Sequence, residues 1–156
     1  MERTALFALC AIQKMDNFEH WDLDSTLESV DVAEELVLRR GEALGLDEED
    51  LHRVGMSVRE CMVNAVVHGN CYNARKQVKL SIGQSPERLT VIIRDEGEGF
   101  DLSNLPDPLA EDNLLRHSGR GLLLIQAFMD EFQIRAAEPK GTEVKMVKYV
   151  GKAKEG

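Results

Sequence analysis

The chain has 156 residues, 43% of them hydrophobic, which fits one globular domain with a core of its own. Its formal net charge of −9 and pI near 5.0 argue against a general nucleic-acid or anionic-membrane binder, because both need a positive field. The three cysteines, Cys10, Cys61 and Cys71, are an odd set without C-x-x-C spacing. They predict reduced thiols in a cytosolic protein rather than a disulfide framework or a zinc site.

Residues 1–17 contain a short apolar run from Ala5 to Ile12. The run is too short to span a bilayer. Glu2 offsets the charge of Arg3, whereas a signal peptide begins with a net positive segment. We therefore interpret the run as an edge strand or a docking segment, and leave residues 1–17 unassigned.

The remaining sequence predicts one domain over residues 18–150 and a short tail at 151–156. The hydrophobic pattern predicts strands at 18–23, 77–82, 88–94, 132–136 and 143–149, and helices at 26–44, 48–68 and 122–129. Gly45 is expected to end the first helix, and Asp47 to cap the second. This order predicts an α+β fold, a mainly antiparallel sheet with helices on one face.

The second predicted helix is apolar except for one polar line and a narrow water-facing side at His52 and Arg59. At about 100° per residue, five polar side chains share an arc of about 80°: Arg53, Ser57, Glu60, Asn64 and His68. Glu60 and Asn64 therefore lie four residues apart on a largely buried helix, where polar groups need partners. A satisfied internal hydrogen bond and a functional pair are both open interpretations.

A second motif is the D-x-G-x-G segment from Asp95 to Gly99, which follows an apolar strand. Asp and Gly are also ordinary turn residues, and the spacing of a calcium loop is not met. The functional interpretation is that Asp95 accepts a hydrogen bond from an exocyclic amine such as that of adenine. Gly97 and Gly99 would then let the backbone approach a nucleotide closely.

A third motif, Gly119-Arg120-Gly121, precedes the last predicted helix and predicts an anion site at its N-terminus. It lacks the third glycine of the Rossmann fingerprint. The preceding segment 101–118 is long and acidic, which is typical of functional or mobile loops, and its acidic side chains are expected to face solvent. A fourth segment, Lys140-Gly141-Thr142, predicts a hairpin turn and nothing more by itself.

Together the four motifs, E-x-x-x-N, D-x-G-x-G, G-x-G and G-T in this order, resemble those of the GHKL (Bergerat-fold) ATPases. Within that superfamily, the segments Asn113–Arg116, Ser118–Gly121 and Phe128–Glu131 look most like the stand-alone anti-sigma-factor serine kinases. The resemblance covers residues 18–150. It implies a two-layer sandwich of a mainly antiparallel sheet with helices on one face, the Bergerat ATP-binding fold.

The resemblance also implies roles for individual residues. Asn64 would coordinate the Mg²⁺ that bridges the ATP phosphates, and Glu60 would be the general base for an attacking serine hydroxyl. Asp95 would bind the adenine amine, supported by Thr142 through its hydroxyl or a water. Gly97 and Gly99 would make room for the purine. The phosphates would be held by Gly119, Arg120 and Gly121, with Arg116 as a charge partner. His68 fits either a place at the site or a capping role.

The implied function is an ATP-dependent serine/threonine protein kinase that acts as an anti-sigma factor. Its implied partners are a STAS-type anti-anti-sigma protein, which it would phosphorylate, and a sigma factor, which it would sequester. Family members commonly dimerise, so the resemblance also implies a possible homodimer. Neither direct nucleic-acid binding nor membrane binding is expected. Two alternatives stay open: a nucleotide-gated binding module without phosphotransfer, in which a carboxylate at Glu60 would be unnecessary, and a histidine-directed kinase module.

Overall fold

The computed structural model of the protein describes residues 17–98 and 121–151. The predictions made for residues 1–16, for Gly99, Arg116, Gly119 and Arg120, and for the end of the tail lie outside these ranges. Within them, no helix combines the length and hydropathy needed to cross a bilayer.

The described residues form five strands and three α-helices in the order that the sequence predicts. The strands are β1 (Asn17–Asp24), β2 (Gln77–Gln84), β3 (Arg88–Arg94), β4 (Glu131–Ala136) and β5 (Thr142–Tyr149). The helices are α1 (Glu28–Leu44), α2 (Glu48–Val63) and α3 (Gly121–Phe128).

The five strands make one antiparallel sheet with the order β1-β2-β3-β5-β4. Alternate residues of the central strands point into the core, as a half-covered sheet requires, and those of β2 are Val78, Leu80 and Ile82. They belong to one hydrophobic cluster with Val37 of α1 and Val58 of α2. The expected α+β fold is confirmed.

Local chemistry sets the ends of the first two helices as predicted. Gly45 ends α1 in the left-handed region, at φ 91°, where a residue without Cβ is favoured. Asp47 caps α2, because its carboxylate accepts a hydrogen bond of 2.8 Å from the backbone N–H of Asp50. The short connection between them brings α1 and α2 side by side over the sheet.

The end of the second helix differs from the prediction. The α-helical turn pattern stops at Val63, and the residues Asn64–Gly69 form a π-helical turn. The backbone N–H of Asn70 closes this turn on the carbonyl of Ala65 at 2.7 Å. Such wide turns are rare and occur mostly at functional sites, and this one carries the predicted site residue Asn64.

Candidate functional site

One pocket lies where the end of α2, the end of β3, the start of β5 and the start of α3 converge. It is lined by Cys61, Asn64, Ala65, His68, Gly69, Ile93, Asp95, Leu122, Ile134, Thr142 and Val144. Three predicted site residues, Asn64, Asp95 and Thr142, are thus brought together from distant parts of the chain. Glu60 is half-buried one turn before Asn64, outside the pocket lining.

Asp95 is the buried acid of this pocket, with only 6% of its surface exposed. Its Oδ1 accepts hydrogen bonds from the backbone N–H of Gly97 at 3.0 Å and of Thr142 at 3.2 Å. Burial raises the pKa of the Asp95 carboxyl, although these two hydrogen bonds and the charge of Lys76 act in the opposite direction. The two backbone donors fix the carboxylate and leave Oδ2 as an acceptor for a further donor.

Thr142 supports Asp95 through its backbone. Its N–H donates to the carboxylate, and its carbonyl accepts from the Asp95 N–H at 3.0 Å. The contact through the Thr142 hydroxyl or a water, which the family resemblance implies, stays a prediction. The observed contact follows from the sheet, because β3 and β5 are neighbours and their paired ends bring these two residues side by side.

Three glycines enclose Asp95 so tightly that side chains would collide with it or with one another. A Cβ at Gly69 would lie 2.4 Å from Asp95 Cγ, and one at Gly141 would lie 2.0 Å from the Asp95 carbonyl oxygen. A Cβ at Gly97 would lie 1.9 Å from the Gly69 carbonyl oxygen. Gly97 is therefore required by the protein's own packing, in addition to any role toward a purine.

Asn70 is a structural residue of the site that the sequence reasoning missed. It is 1% exposed, and its Nδ2 donates to Ser25 Oγ at 2.9 Å and to the Gln77 carbonyl at 3.1 Å. Its Oδ1 accepts from the backbone N–H of Glu96 at 2.8 Å. One amide thus ties the end of the π-helical turn to β1, β2 and the D-x-G segment. The only sequence sign was its place directly after the predicted helix.

The two ends of α3 have different surroundings. At its start, Gly121 is buried and Leu122 lines the pocket. At its end, the carbonyl of Phe128 accepts a hydrogen bond of 2.8 Å from Nζ of Lys148, a β5 residue that is 3% exposed. Of the residues in the predicted phosphate segment, the structure describes Gly121 alone, and it places this glycine at the start of α3.

The pocket also contains two groups whose roles the sequence left open. Cys61 is a free, buried thiol in the lining, and burial together with the Asp95 charge raises its pKa. His68 lines the pocket while remaining exposed to solvent. Its imidazole therefore lies at the mouth of the pocket, where a bound ligand could reach it.

Comparison with known proteins identifies the family of the chain. The model of the histidine kinase-like ATPase domain matches residues 23–148. An anti-sigma F factor of Oceanobacillus iheyensis is 31% identical over 108 residues, covering 68% of this chain and 74% of that protein. An anti-sigma F factor of Bacillus thuringiensis is 34% identical over 104 residues, covering 65% and 71%.

The fold also matches a solved structure. A chain of the SiaB–SiaC complex from Pseudomonas aeruginosa aligns with a TM-score of 0.57 at 14% identity, covering 96% of this chain and 99% of that one. This likeness concerns the fold alone. The resemblance inferred from the four motifs is confirmed by the family match and the related anti-sigma F factors. The chain belongs to the histidine kinase-like ATPase domain family.

Proposed function

We propose that the protein is an ATP-dependent serine/threonine protein kinase that acts as an anti-sigma regulatory factor. The observation that carries the proposal is Asp95, a buried carboxylate held by two backbone donors in a pocket that Asn64 also lines. The names of the related anti-sigma F factors support the regulatory part of the proposal.

The pocket fits an adenine base in its chemistry. Adenine is a flat, apolar ring with an exocyclic amine, and the pocket combines apolar walls such as Ile93 and Leu122 with one buried acceptor. In our proposal Oδ2 of Asp95 accepts the amine hydrogen bond, while the backbone of Thr142 holds Oδ1. A ring lacking that amine would leave the buried acceptor unpaired, which is costly.

The phosphates would extend from the adenine toward α2 and α3. We propose that the Asn64 amide oxygen is the protein ligand of a Mg²⁺ ion, for which phosphates and waters supply the other oxygens. When bound, the ion would neutralise charge on the transferred phosphoryl group. Gly121, at the start of α3, would hold phosphate together with Gly119, Arg120 and Arg116 of the preceding segment.

Glu60 would act as the general base. The serine or threonine oxygen of the substrate protein attacks the γ-phosphorus, Glu60 takes the hydroxyl proton, and ADP leaves with the bridging oxygen. Glu60 is half-buried and lies on α2 one turn before Asn64, so a substrate hydroxyl near the γ-phosphate would be close to it. Among the described residues its carboxylate makes no hydrogen bond or ion pair that would occupy it.

The partners follow from the same proposal. We propose that the phosphorylated substrate is a STAS-type anti-anti-sigma protein, and that a sigma factor is sequestered until partner exchange releases it. The kinase domain would be residues 18–150, working in the cytosol, with a homodimer as its possible assembly. Phosphotransfer is the part that can be tested directly.

The test is phosphotransfer from γ-labelled ATP with Mg²⁺ into a lysate of the source organism. We expect acid-stable label on a small protein, absent with Asp95→Asn and reduced by about 10²-fold or more with Glu60→Gln. Glu87→Gln is the matched control, because it makes the same chemical change at an exposed position in the turn between β2 and β3. Acid-labile label would indicate a histidine target and would contradict the serine/threonine proposal.

Calorimetric titration with ATP separates catalysis from binding. Glu60→Gln should bind ATP as the wild type does, whereas Asp95→Asn should bind at least about tenfold more weakly. If the wild type binds ATP but transfers no label to any protein, the nucleotide-gated binding module would be favoured over the kinase. No ATP binding by the wild type would reject both.

A further inference from the structure

The outer surface of the helical layer has a groove between α1 and α2. It runs along α2 from Glu48 to Arg59, eleven residues apart and therefore about 16 Å. Leu38, Leu51 and Met56 form its apolar part. Met56 is 37% exposed, and Leu38 and Leu51 are partly exposed.

Glycines let the two helices approach each other along the groove. An added Cβ at Gly55 of α2 would lie 3.5 Å from Leu38 Cδ2 of α1, and one at Gly41 of α1 would lie 2.8 Å from Leu51 Cδ2 of α2. Leu38 and Leu51 therefore pack against the glycine of the facing helix, and both line the groove.

The charge around the groove is strongly negative. The stretch from Glu28 to Glu60 has ten acidic and four basic side chains, so it accounts for −6 of the net charge of −9. At one end, Arg59 forms ion pairs of 2.8 Å with both Asp31 and Glu34, so these three side chains carry a single net negative charge.

The other end of the groove is different. Glu42 and Glu48 line it there, and among the described residues neither has an ion-pair partner. The carboxylates that have no ion-pair partner among the described residues therefore lie at the Glu42–Glu48 end, beside Leu51, and the exposed Met56 lies eight residues, about 12 Å, further along α2.

The groove and the pocket lie on opposite sides of α2. At about 100° per residue, His52, Gly55 and Arg59 share an arc of about 60°, and Cys61 and Asn64 project from the other side. A ligand in the groove would therefore not compete for space with a nucleotide. The two ligands could be bound to the same molecule.

We propose that this groove is a docking site for a basic amphipathic helix of a protein partner. The apolar stripe of that helix covers Leu38 and Met56, and its lysine or arginine side chains pair with Glu42 and Glu48. Charge complementarity selects this occupant, because an acidic or uncharged helix would leave the rim carboxylates unpaired. The proposal concerns a second binding surface and does not depend on phosphotransfer.

The test uses a synthetic helical peptide of about 15 residues, long enough to span the groove, with leucines at helical spacing and lysines elsewhere. Its affinity is measured by fluorescence anisotropy and its location by NMR chemical-shift mapping. We expect shifts concentrated on α1 and α2, and binding that weakens as salt screens the rim charges. A glutamate version of the peptide should not bind.

Two double variants separate a docking site from general attraction to an acidic protein. Glu42→Lys with Glu48→Lys should weaken peptide binding about tenfold or more, because it reverses the rim. Asp22→Lys with Glu87→Lys changes the net charge equally at exposed positions elsewhere and should weaken it less than about threefold. Met56→Ser should weaken binding while leaving the rim intact.

Three results would overturn the proposal. They are failure of the wild type to bind the lysine peptide, equal weakening of binding by the two double variants, and chemical-shift changes that fall outside α1 and α2. The variant Asp95→Asn distinguishes failure of the docking proposal from failure of the proposed kinase function. It should lose ATP binding and keep peptide binding, so each site is judged by its own ligand.

Discussion

At the residue scale, Asp95 combines a cost in stability with an expected gain in binding. Its folded-state pKa is raised chiefly by burial, so the folded protein holds the proton more tightly than the unfolded chain does. The contribution of this group to the free energy of unfolding is therefore highest below the unfolded pKa of about 3.9 and falls as pH rises through the folded value. At neutral pH the ionised, buried carboxylate is destabilising.

Asp95→Asn tests this balance. The amide oxygen can keep the hydrogen bonds from Gly97 and Thr142, while the NH₂ replaces the free acceptor with a donor. We expect the variant to be at least as stable as the wild type at pH 7, with an advantage that shrinks as pH falls toward about 4. Urea unfolding at several pH values measures this. A large loss of stability at neutral pH would contradict the conclusion that the ionised Asp95 carboxylate destabilises the folded protein and is kept for binding.

Gly141 allows a second prediction with a matched control. It has φ +110°, and a Cβ there would meet the Asp95 carbonyl oxygen at 2.0 Å. Gly45 has φ +91° with nothing within 4 Å of an added Cβ. Gly45→Ala should therefore cost about 1 kcal/mol for backbone strain alone, and Gly141→Ala about 3 kcal/mol or more, because the backbone at Asp95 must also move.

Thermal or urea unfolding of both glycine variants checks the difference. Equal losses of stability would mean that the left-handed backbone alone matters at Gly141. A larger loss for Gly141→Ala, accompanied by weaker ATP binding, would establish that its close contact positions Asp95.

Some of these residues could be predicted from the sequence and others could not, for a physical reason. Asp95 follows an apolar strand and lies two residues before Gly97. This local pattern is enough to predict a polar site residue. The need for asparagine at position 70 comes from its contact with Ser25, and the need for glycine at position 69 comes from its close approach to Asp95. Both partners are distant in sequence. Local periodicity carries no information about such partners.

At the element scale, periodicity predicted the existence and order of strands and helices because each buries one face. The change to a π-helical turn at Asn64–Gly69 was not predictable in this way. The apolar pattern of these six residues is also compatible with an α-helix, so it does not indicate the wider turn. What closes this turn is the set of bonds from Asn70 and Tyr72 to the carbonyls of Ala65 and Val66.

Lys148 joins three elements and gives a prediction at this scale. Its Nζ bonds the last carbonyl of α3 and lies 3.6 Å from carboxylate oxygens of Asp50 in α2 and Asp130 after α3. Lys148→Met should cost about 2 kcal/mol, because it removes the charged donor to the Phe128 carbonyl and one of the cations near the buried Asp50 carboxylate, which keeps Arg53 at 3.3 Å. Lys145→Met, at an exposed position of the same strand, should cost less than about 0.5 kcal/mol.

The free energies of unfolding of these two lysine variants are the measurement. Similar small losses would mean that Lys148 is an incidental contact. A large loss for Lys148→Met would identify it as the residue that ties the end of α3 to the sheet and to the start of α2.

At the scale of the whole molecule, the reactivity of Cys61 measures opening of the folded protein, and that of Cys71 measures a surface that is always exposed. Cys71 is exposed after the π-helical turn, and Cys61 is a buried pocket residue whose thiol pKa is raised. Since the thiolate is the nucleophile, Cys61 should react with iodoacetamide only when the protein opens. In a Cys10→Ser background, we expect Cys71 to be labelled within minutes under conditions where Cys61 is untouched, which mass spectrometry of tryptic peptides can follow.

Nucleotide should slow the labelling of Cys61 through linkage. A ligand that binds only the folded protein stabilises it by RT ln(1 + [L]/Kd), so ATP at about 100 times its Kd should slow labelling through the open state about 100-fold. Cys71 should keep its rate, because its exposure does not depend on opening. In Asp95→Asn, which should bind ATP at least about tenfold more weakly, the same ATP concentration should slow the labelling of Cys61 by about 10-fold or less. Protection that persisted in full in this variant would place ATP binding elsewhere than the pocket around Asp95, and with it the base, the metal ligand and the phosphate contacts proposed for its walls.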